Sequence, residues 1–148
     1  MSVVCVDASL VLAFLVPDPF SSAAARQIAQ WGREGQTLIA PALLAFEVTA
    51  NLRRFVYTQT LTEEEGEEAL QYFLRLPIRL STQRGMFPLA LRLAQEFNRP
   101  RAYDTAYLAL AELRRCEFWT ADERLYNSVR DRLDWVHWVG DSRASVVG

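Results

Sequence analysis

Short apolar runs alternate with longer amphipathic segments along this chain. The first run, Val3–Val6, is unbroken and mostly β-branched, which is typical of a strand covered on both faces. Four further runs predict strands at 37–40, 78–81, 118–120 and 135–139. Because these strands alternate with helical segments, the pattern favours an α/β domain built on a parallel sheet with crossover helices.

The segments between these runs have helical periodicity and recognisable boundaries. Ser21 and Ser22 are expected to cap the second helix and Gly35 to close it. Pro17 and Pro77 cannot continue the first and fourth helices. The predicted helices cover 8–15, 21–31, 41–55, 62–74, 87–97 and 105–113, and another begins at Asp122.

Length and composition limit the class of protein. The 148 residues suffice for one domain over 1–148 that needs no disulfides, with a polar tail from Asp141 that is expected to fray. Cys5 and Cys116 lie in apolar surroundings, so we expect small core residues and a reducing compartment. No apolar segment approaches the roughly 20 residues that span a bilayer. We therefore expect a cytoplasmic protein without a membrane partner.

Charge and residue types exclude several kinds of chemistry. All 16 basic residues are arginine, and 18 acidic residues give a net charge of −2, so no overall basic field attracts nucleic acid. The absence of lysine rules out a Schiff base, a P-loop and a response-regulator receiver. His137 is the sole histidine, which argues against a histidine triad or a histidine-ligated zinc site.

Four carboxylates stand at conspicuous places. Asp7 follows the first strand and Asp122 the fourth, and the carboxyl ends of parallel strands share the sheet edge where ligands bind. Asp104 stands at the entrance of a nearly all-apolar helix, and Glu47 flanks an apolar stripe. Taken singly, Asp104 and Asp122 would serve as N-caps worth about 1 kcal/mol each, and Glu47 as a rim residue. Spacing alone leaves both a shared site and separate structural roles open.

A shared site would restrict the chemistry. Crowded carboxylates cannot all stay ionised without a counter-charge. Oxygen ligands without histidine or cysteine favour Mg²⁺ or Mn²⁺. One such ion, or two about 4 Å apart, would activate water and stabilise an in-line displacement at phosphorus. The implied reaction is phosphodiester hydrolysis.

Four short motifs occur in one order over nearly the whole chain, and together they resemble the PIN-domain family, more narrowly its VapC-type toxins. The motifs are Val6-Asp7-Ala8-Ser9, Pro41-x-x-Leu44-x-x-Glu47-Val48-x-x-x-Leu52, Asp104-x-x-Tyr107-Leu108-Ala109-Leu110-Ala111 and Thr120-Ala121-Asp122-x-x-Leu125. The resemblance implies a three-layer α/β/α fold with a parallel five-stranded sheet and a Mg²⁺- or Mn²⁺-dependent endoribonuclease.

The same resemblance suggests roles for individual residues. Asp7 and Asp104 would bind the main ion, while Glu47 and Asp122 would activate water or hold a second ion. Two hydroxyl side chains would hold ligands or water, Ser9 and Thr120. RNA phosphates would be met by the arginines nearest in sequence to these acids, Arg53, Arg54, Arg99 and Arg101.

The resemblance also implies a homodimer and an antitoxin partner. A docking face would draw on the aromatic residues of the early helices, Phe14, Phe20, Trp31, Phe55, Tyr57, Tyr72 and Phe73. Two alternatives stay open: a PIN nuclease of RNA processing outside a toxin pair, and a non-catalytic PIN-like scaffold that binds RNA or protein. A ribonuclease H-like nuclease is disfavoured because its sheet contains antiparallel strands.

Overall fold

The structure is a computed structural model that describes residues 2–141, and these residues form one five-stranded sheet with seven helices. Every strand pair in the sheet is parallel, so the predicted α/β class is confirmed. In chain order the elements are β1 (Val3–Val6), α1 (Ala8–Leu15), α2 (Ser21–Glu34), β2 (Thr37–Ala40), α3 (Leu43–Tyr57), α4 (Glu63–Arg75), β3 (Ile78–Leu80), α5 (Met86–Glu96), α6 (Tyr103–Arg114), β4 (Glu117–Thr120), α7 (Glu123–Val129) and β5 (Val136–Trp138).

Different helices cover the two faces of the sheet. Phe118 and Trp119 are consecutive in β4, so their side chains point to opposite faces. Trp31 of α2 packs edge-on against Trp119, with ring centroids 5.6 Å apart. On the other face, Tyr107 of α6 packs against Phe118, and the Cys5 thiol donates to the carbonyl of Tyr107 at 3.6 Å. The fold therefore has the three expected layers.

The strand order β3-β2-β1-β4-β5 places the first strand in the middle of the sheet. The chain runs from β1 to β2 and β3 on one side, and later adds β4 and β5 on the other. The crevice outside the carboxyl ends of β1 and β4 is therefore the topological switch point, where open α/β sheets bind ligands. Asp7 directly follows β1 and Thr120 ends β4, so both lie at this crevice.

Two helix caps differ from the sequence prediction. Asp104 lies inside the first turn of α6, whose N-cap is Ala102, so the predicted capping role for Asp104 was wrong. Phe20 is the N-cap of α2 and makes no side-chain cap bond. Ser21 instead donates its hydroxyl to the carbonyl of Val16 at 3.0 Å, which ties α2 back to the end of α1. The predicted serine cap was therefore also wrong.

Three other expectations have simple outcomes. Cys5 is fully buried, whereas Cys116 is only partly buried, so the core assignment holds fully for Cys5 alone. The tail was expected to fray from Asp141 onwards, and its residues after Asp141 lie outside the described part of the chain. Within residues 2–141, no helix combines the length and the apolar character needed to cross a membrane.

Candidate active site

Asp7 is the most buried of the four predicted acids, at 6% exposure. It caps α1, and its Oδ1 accepts the backbone N–H of Leu10 at 3.1 Å and the hydroxyl of Ser9 at 2.7 Å. Its Oδ2 accepts the hydroxyl of Thr120 at 2.6 Å. Burial raises the pKa of the Asp7 carboxyl to about 7, although these hydrogen bonds lower it. Asp7 is therefore held in place by three hydrogen bonds, and its pKa lies above that of an ordinary exposed carboxyl.

The end of β4 completes this network. Ser9 Oγ accepts the N–H of Ala121 at 2.9 Å, and Thr120 Oγ1 accepts the N–H of Asp122, also at 2.9 Å. Asp122 caps α7 by accepting a backbone N–H of its first turn at 3.2 Å, which confirms its predicted capping role. The charge of Asp122 also raises the pKa of Asp7, so these two carboxylates lie within electrostatic reach of each other.

Glu47 is positioned by α3 and held by a residue of α6. Tyr107, which is only 2% exposed, donates its hydroxyl to Glu47 Oε1 at 2.5 Å. Burial raises the pKa of Glu47, the Tyr107 hydrogen bond lowers it, and the charge of Asp104 raises it. Asp104 lies three residues before Tyr107 in α6, so both face the same side of that helix. A second pair of carboxylates, Glu47 and Asp104, is thus within electrostatic reach.

Asp104 forms an ion pair with a loop residue. Arg99, which precedes α6, donates from Nη2 to Asp104 Oδ2 at 2.7 Å. The two side chains are 24% and 38% exposed, so the pair lies at the border between protein and solvent. One carboxylate oxygen of Asp104 is therefore already bound to a cation of the protein itself.

All four acids line one cavity of about 530 Å³ at the carboxyl edge of the sheet. Its charged lining, within the described residues, consists of six carboxylates and one guanidinium: Asp7, Asp18, Glu47, Glu65, Asp104, Asp122 and Arg54. This excess of negative charge in a partly enclosed space attracts cations. The acids therefore converge as the shared-site hypothesis requires, while their chemical roles stay predictions.

The donor atoms suit a hard divalent ion. They are carboxylate and hydroxyl oxygens, whereas His137 lies on β5 beside Glu117 and Cys5 bonds into α6, away from the cavity. As the side chains of residues 2–141 stand, no three Asp, Glu, His or Cys residues are grouped closely enough to enclose an ion. Mg²⁺ usually takes one or two carboxylates and keeps several waters, so a pair such as Asp7 and Asp122 is sufficient.

Comparison with known proteins identifies the family. Residues 4–130, a span that includes all four acids, match the PIN domain. The chain belongs to the PIN domain family. The VapC ribonuclease Mb0985 of Mycobacterium bovis is 34% identical over 122 residues, which cover 82% of this chain and 87% of that protein. Ribonuclease VapC9 of Mycobacterium tuberculosis gives the same figures, and ribonuclease VapC12 of that species is 31% identical over 125 residues, 84% and 91% of the two chains.

The four arginines predicted to contact RNA occupy different positions in this PIN domain. Arg54 lines the cavity, and Arg99 is bound to Asp104. Arg53 and Arg101 are exposed, and the guanidinium of Arg53 lies 5.4 Å from the centre of the Tyr57 ring. Their contacts with RNA stay predictions.

Sequence reasoning missed several cavity residues of the PIN domain. Asn51 donates to the backbone carbonyl of Glu47 and accepts from Arg54 Nη2, both at 2.8 Å. The spacing of 47, 51 and 54 places these three residues on one face of α3. This spacing was the sequence feature that could have predicted Asn51 as a neighbour of Glu47. Tyr107 belongs to the motif that begins at Asp104, but no role was predicted for it. Its spacing of three residues from Asp104 indicates that the two side chains lie on the same face of α6.

Proposed function

We propose that this protein is a divalent-metal-dependent endoribonuclease that acts as the toxin of a toxin–antitoxin pair. The observation that carries the proposal is the convergence of Asp7, Glu47, Asp104 and Asp122 on one cavity, although they come from separate parts of the chain. Membership of the PIN domain family supports nuclease chemistry. The names of the relatives, VapC ribonucleases, support RNA as the substrate.

Asp7 and Asp104 are the proposed ligands of the principal ion, Mg²⁺ or Mn²⁺. Glu47 and Asp122 would orient the attacking water or hold a second ion. When bound, such an ion lowers the pKa of water and stabilises negative charge on the oxygens around phosphorus. The oxygen-only donor set favours these hard ions over zinc or copper.

Ser9 and Thr120 are proposed to act through Asp7 and not on the substrate. Their hydroxyl groups donate to different oxygens of Asp7, which favours the ionised carboxylate that a cation requires. Asp7 Oδ2 accepts one hydrogen bond from the residues described, from Thr120. Since a carboxylate oxygen offers about two acceptor positions, Oδ2 keeps one for an ion or its water.

RNA must approach a cavity that carries the same sign of charge as its own phosphates. Six carboxylates against one guanidinium would repel a phosphodiester until a divalent ion reduces the charge. Arg54 at the cavity wall is the proposed first phosphate contact. Arg53 and Arg101 are proposed contacts for phosphates further along the strand, because their side chains are exposed.

The proposed partners are an antitoxin protein and a second copy of this chain. Of the aromatic residues considered for a docking face, Tyr57 and Tyr72 are exposed, at 76% and 47%. Trp31 and Phe73 are buried and belong to the core. Light scattering at micromolar concentration tests the dimer, and a monomeric mass at that concentration would contradict it.

Cleavage of cellular RNA by the purified protein tests the enzymatic proposal. We expect discrete new RNA ends with Mg²⁺ or Mn²⁺ and intact RNA with EDTA. Asp7→Asn and Asp104→Asn should fold normally, as measured by circular dichroism, and leave the RNA intact. Failure of the wild-type protein to cut any RNA with either ion would favour the non-catalytic scaffold.

Expression in a bacterial host tests the toxin role separately. We expect the wild-type chain to slow growth and Asp7→Asn to have no effect at an equal protein level. Metal-dependent cleavage in vitro without an effect on growth would favour a PIN nuclease of RNA processing outside a toxin pair.

A further inference from the structure

The ion pair between Arg99 and Asp104 occupies one carboxylate oxygen, Oδ2, of a proposed ligand of the ion. We propose that Arg99 is an internal competitor of the divalent ion, and that its guanidinium must leave Asp104 when the ion binds. This inference rests on the proposed function, since it takes Asp104 as a ligand of the ion. Arg99 would thus set the metal affinity of the site without being a ligand itself.

A divalent ion on Asp104 would bring two cations close together on one carboxylate. Arg99 Nη2 lies 2.7 Å from Asp104 Oδ2, a charge-assisted hydrogen bond of full strength. Mg²⁺ lies about 2.0–2.1 Å from its oxygen ligands and requires near-octahedral geometry. A guanidinium on the same carboxylate would lie within a few ångströms of the ion, where like charges repel strongly in a cavity of reduced dielectric.

The pair is also incompletely satisfied on the side of Arg99. Its Nε is buried and has no hydrogen-bond partner among residues 2–141. By contrast, the exposed Arg132 uses Nη1 and Nη2 to bond the carboxylate and the backbone carbonyl of Glu96. A buried donor without an acceptor costs free energy. The unpaired Nε therefore makes the present position of Arg99 less stable than a fully hydrogen-bonded one. This favours a side chain that moves away from Asp104 when the ion binds over one with a purely structural role.

The pair gives one carboxylate of the cavity lining a positively charged partner. The charge of Asp104 acts on Glu47, and Arg99 supplies a counter-charge to Asp104 on that side of the cavity. Tyr107 holds Glu47 in the same way as Arg99 holds Asp104, through one side-chain contact. When the ion binds, it then replaces the guanidinium of Arg99 as the counter-charge of Asp104.

Binding of Mn²⁺ without RNA tests the competition directly. Titrations followed by the electron paramagnetic resonance signal of free Mn²⁺ would compare wild type, Arg99→Met and Arg99→Lys. Arg99→Met keeps much of the apolar side chain but removes the charge, so we expect its dissociation constant for Mn²⁺ to fall roughly tenfold. Arg99→Lys keeps the charge and should stay within about threefold of wild type.

Arg132→Met is the matched control, because it also removes one positive charge and one ion pair, but its partner Glu96 does not line the cavity, whereas Asp104 does. Its Mn²⁺ affinity should equal that of wild type. Unchanged or weaker binding by Arg99→Met would overturn the inference and leave the proposed function intact. Absence of Mn²⁺ binding by wild type would overturn both.

A crystal of the wild-type protein soaked in Mn²⁺ provides the second measurement, which does not depend on the folding of a variant. We expect anomalous density at Asp104 and a distance above 3.5 Å between Arg99 Nη2 and Asp104 Oδ2. An ion bound at Asp104 with the original 2.7 Å contact intact would show that the two cations coexist, and the inference would then be wrong.

Discussion

The acids on the two sides of the cavity are held by different kinds of contact. On what we call the strand side, Asp7 receives hydrogen bonds from Ser9, Thr120 and the backbone of Leu10, and it is 6% exposed. The parallel register of β1 and β4 brings these groups together, since Val6 pairs with Trp119. The strand side is therefore anchored to the two strands β1 and β4 in the middle of the sheet.

The helix side consists of Glu47, Asp104 and their single partners, Tyr107 and Arg99. Among residues 2–141, each carboxylate has one hydrogen-bonded side-chain partner, and both are partly exposed. They are carried by α3 and α6, whose side chains reach the cavity independently of the strand register. We infer that the strand side fixes the site and the helix side adjusts to the ion. Removing the hydrogen-bond donors around Asp7 should then affect stability more than removing the partners of Glu47 and Asp104.

Asp7→Asn should have the largest effect on activity. The change preserves the shape of the side chain but removes the charge from the fixed side of the site, so metal-dependent cleavage should fall by about 10³-fold, which is typical of losing a strong electrostatic contact. Single-turnover cleavage at saturating Mn²⁺ measures this. Asp131→Asn, at an exposed position in the turn after α7, is the control. A loss of less than tenfold would contradict the assigned role of Asp7.

Thr120→Val should have the largest effect on stability among the substitutions considered. It removes the hydroxyl that donates to Asp7 and accepts from the N–H of Asp122, and Thr120 is fully buried. Leaving such partners unsatisfied costs about 1–3 kcal/mol of the free energy of unfolding. Urea denaturation measures the loss, with Thr49→Val on the exposed face of α3 as control. Equal midpoints for the two variants would show that the strand side is not the rigid one.

Tyr107→Phe should act on the helix side with a smaller effect. The hydroxyl of Tyr107 lowers the pKa of Glu47, so its removal raises that pKa and shifts the acidic limb of the pH–rate profile to higher pH. At pH 7 we expect a loss of activity of a few-fold, on the scale of one hydrogen bond to a charged group. Tyr72→Phe, on the exposed face of α4, is the control. An unshifted profile would mean that Glu47 does not limit the rate.

The sequence predicted the strand side better than the helix side for a physical reason. A buried β-branched run followed by Asp7, and a later run followed by Asp122, imply one sheet edge once the strands are parallel. Thr120 and Ser9 are 111 positions apart, yet the register of β1 and β4, with α1 starting directly after β1, brings their hydroxyl oxygens within 3.0 Å. That part of the site therefore follows from periodicity and topology.

The helix side depends on how helices pack, which local spacing does not determine. Tyr107 and Glu47 are 60 positions apart on different helices, and their contact requires a particular placement of α6 against α3. Taken singly, Asp104 was expected to be an N-cap because it precedes an apolar helix, but the N-cap of α6 is Ala102, two residues earlier, and Arg99 binds the Asp104 side chain. This shift of two residues in the helix start places Asp104 inside the first turn, where it forms an ion pair instead of a cap.

The pH dependence of stability separates the two sides again. The pKa of Asp7 is about 7 in the folded state against an ordinary value of 3.8, so the folded protein binds a proton that the unfolded chain has lost between these values. Stability in EDTA should therefore fall as the pH rises from about 4 to 7, and level off above 7. The raised pKa of Glu47 adds a decrease of the same sign.

Thermal unfolding in EDTA between pH 5 and 8 measures this decrease, which we expect to be a few degrees in Tm. Asp7→Asn should remove most of the slope, whereas Glu47→Gln should remove less, because Glu47 is the more exposed of the two carboxyls. Mn²⁺ should raise the Tm of wild type more at pH 8 than at pH 5, since the ion then occupies a site that the proton has left. Two outcomes would contradict this prediction: a Tm in EDTA that rises between pH 5 and 8, or a slope of Tm against pH in Asp7→Asn equal to that of wild type. Either would mean that Asp7 does not cause the pH dependence of stability.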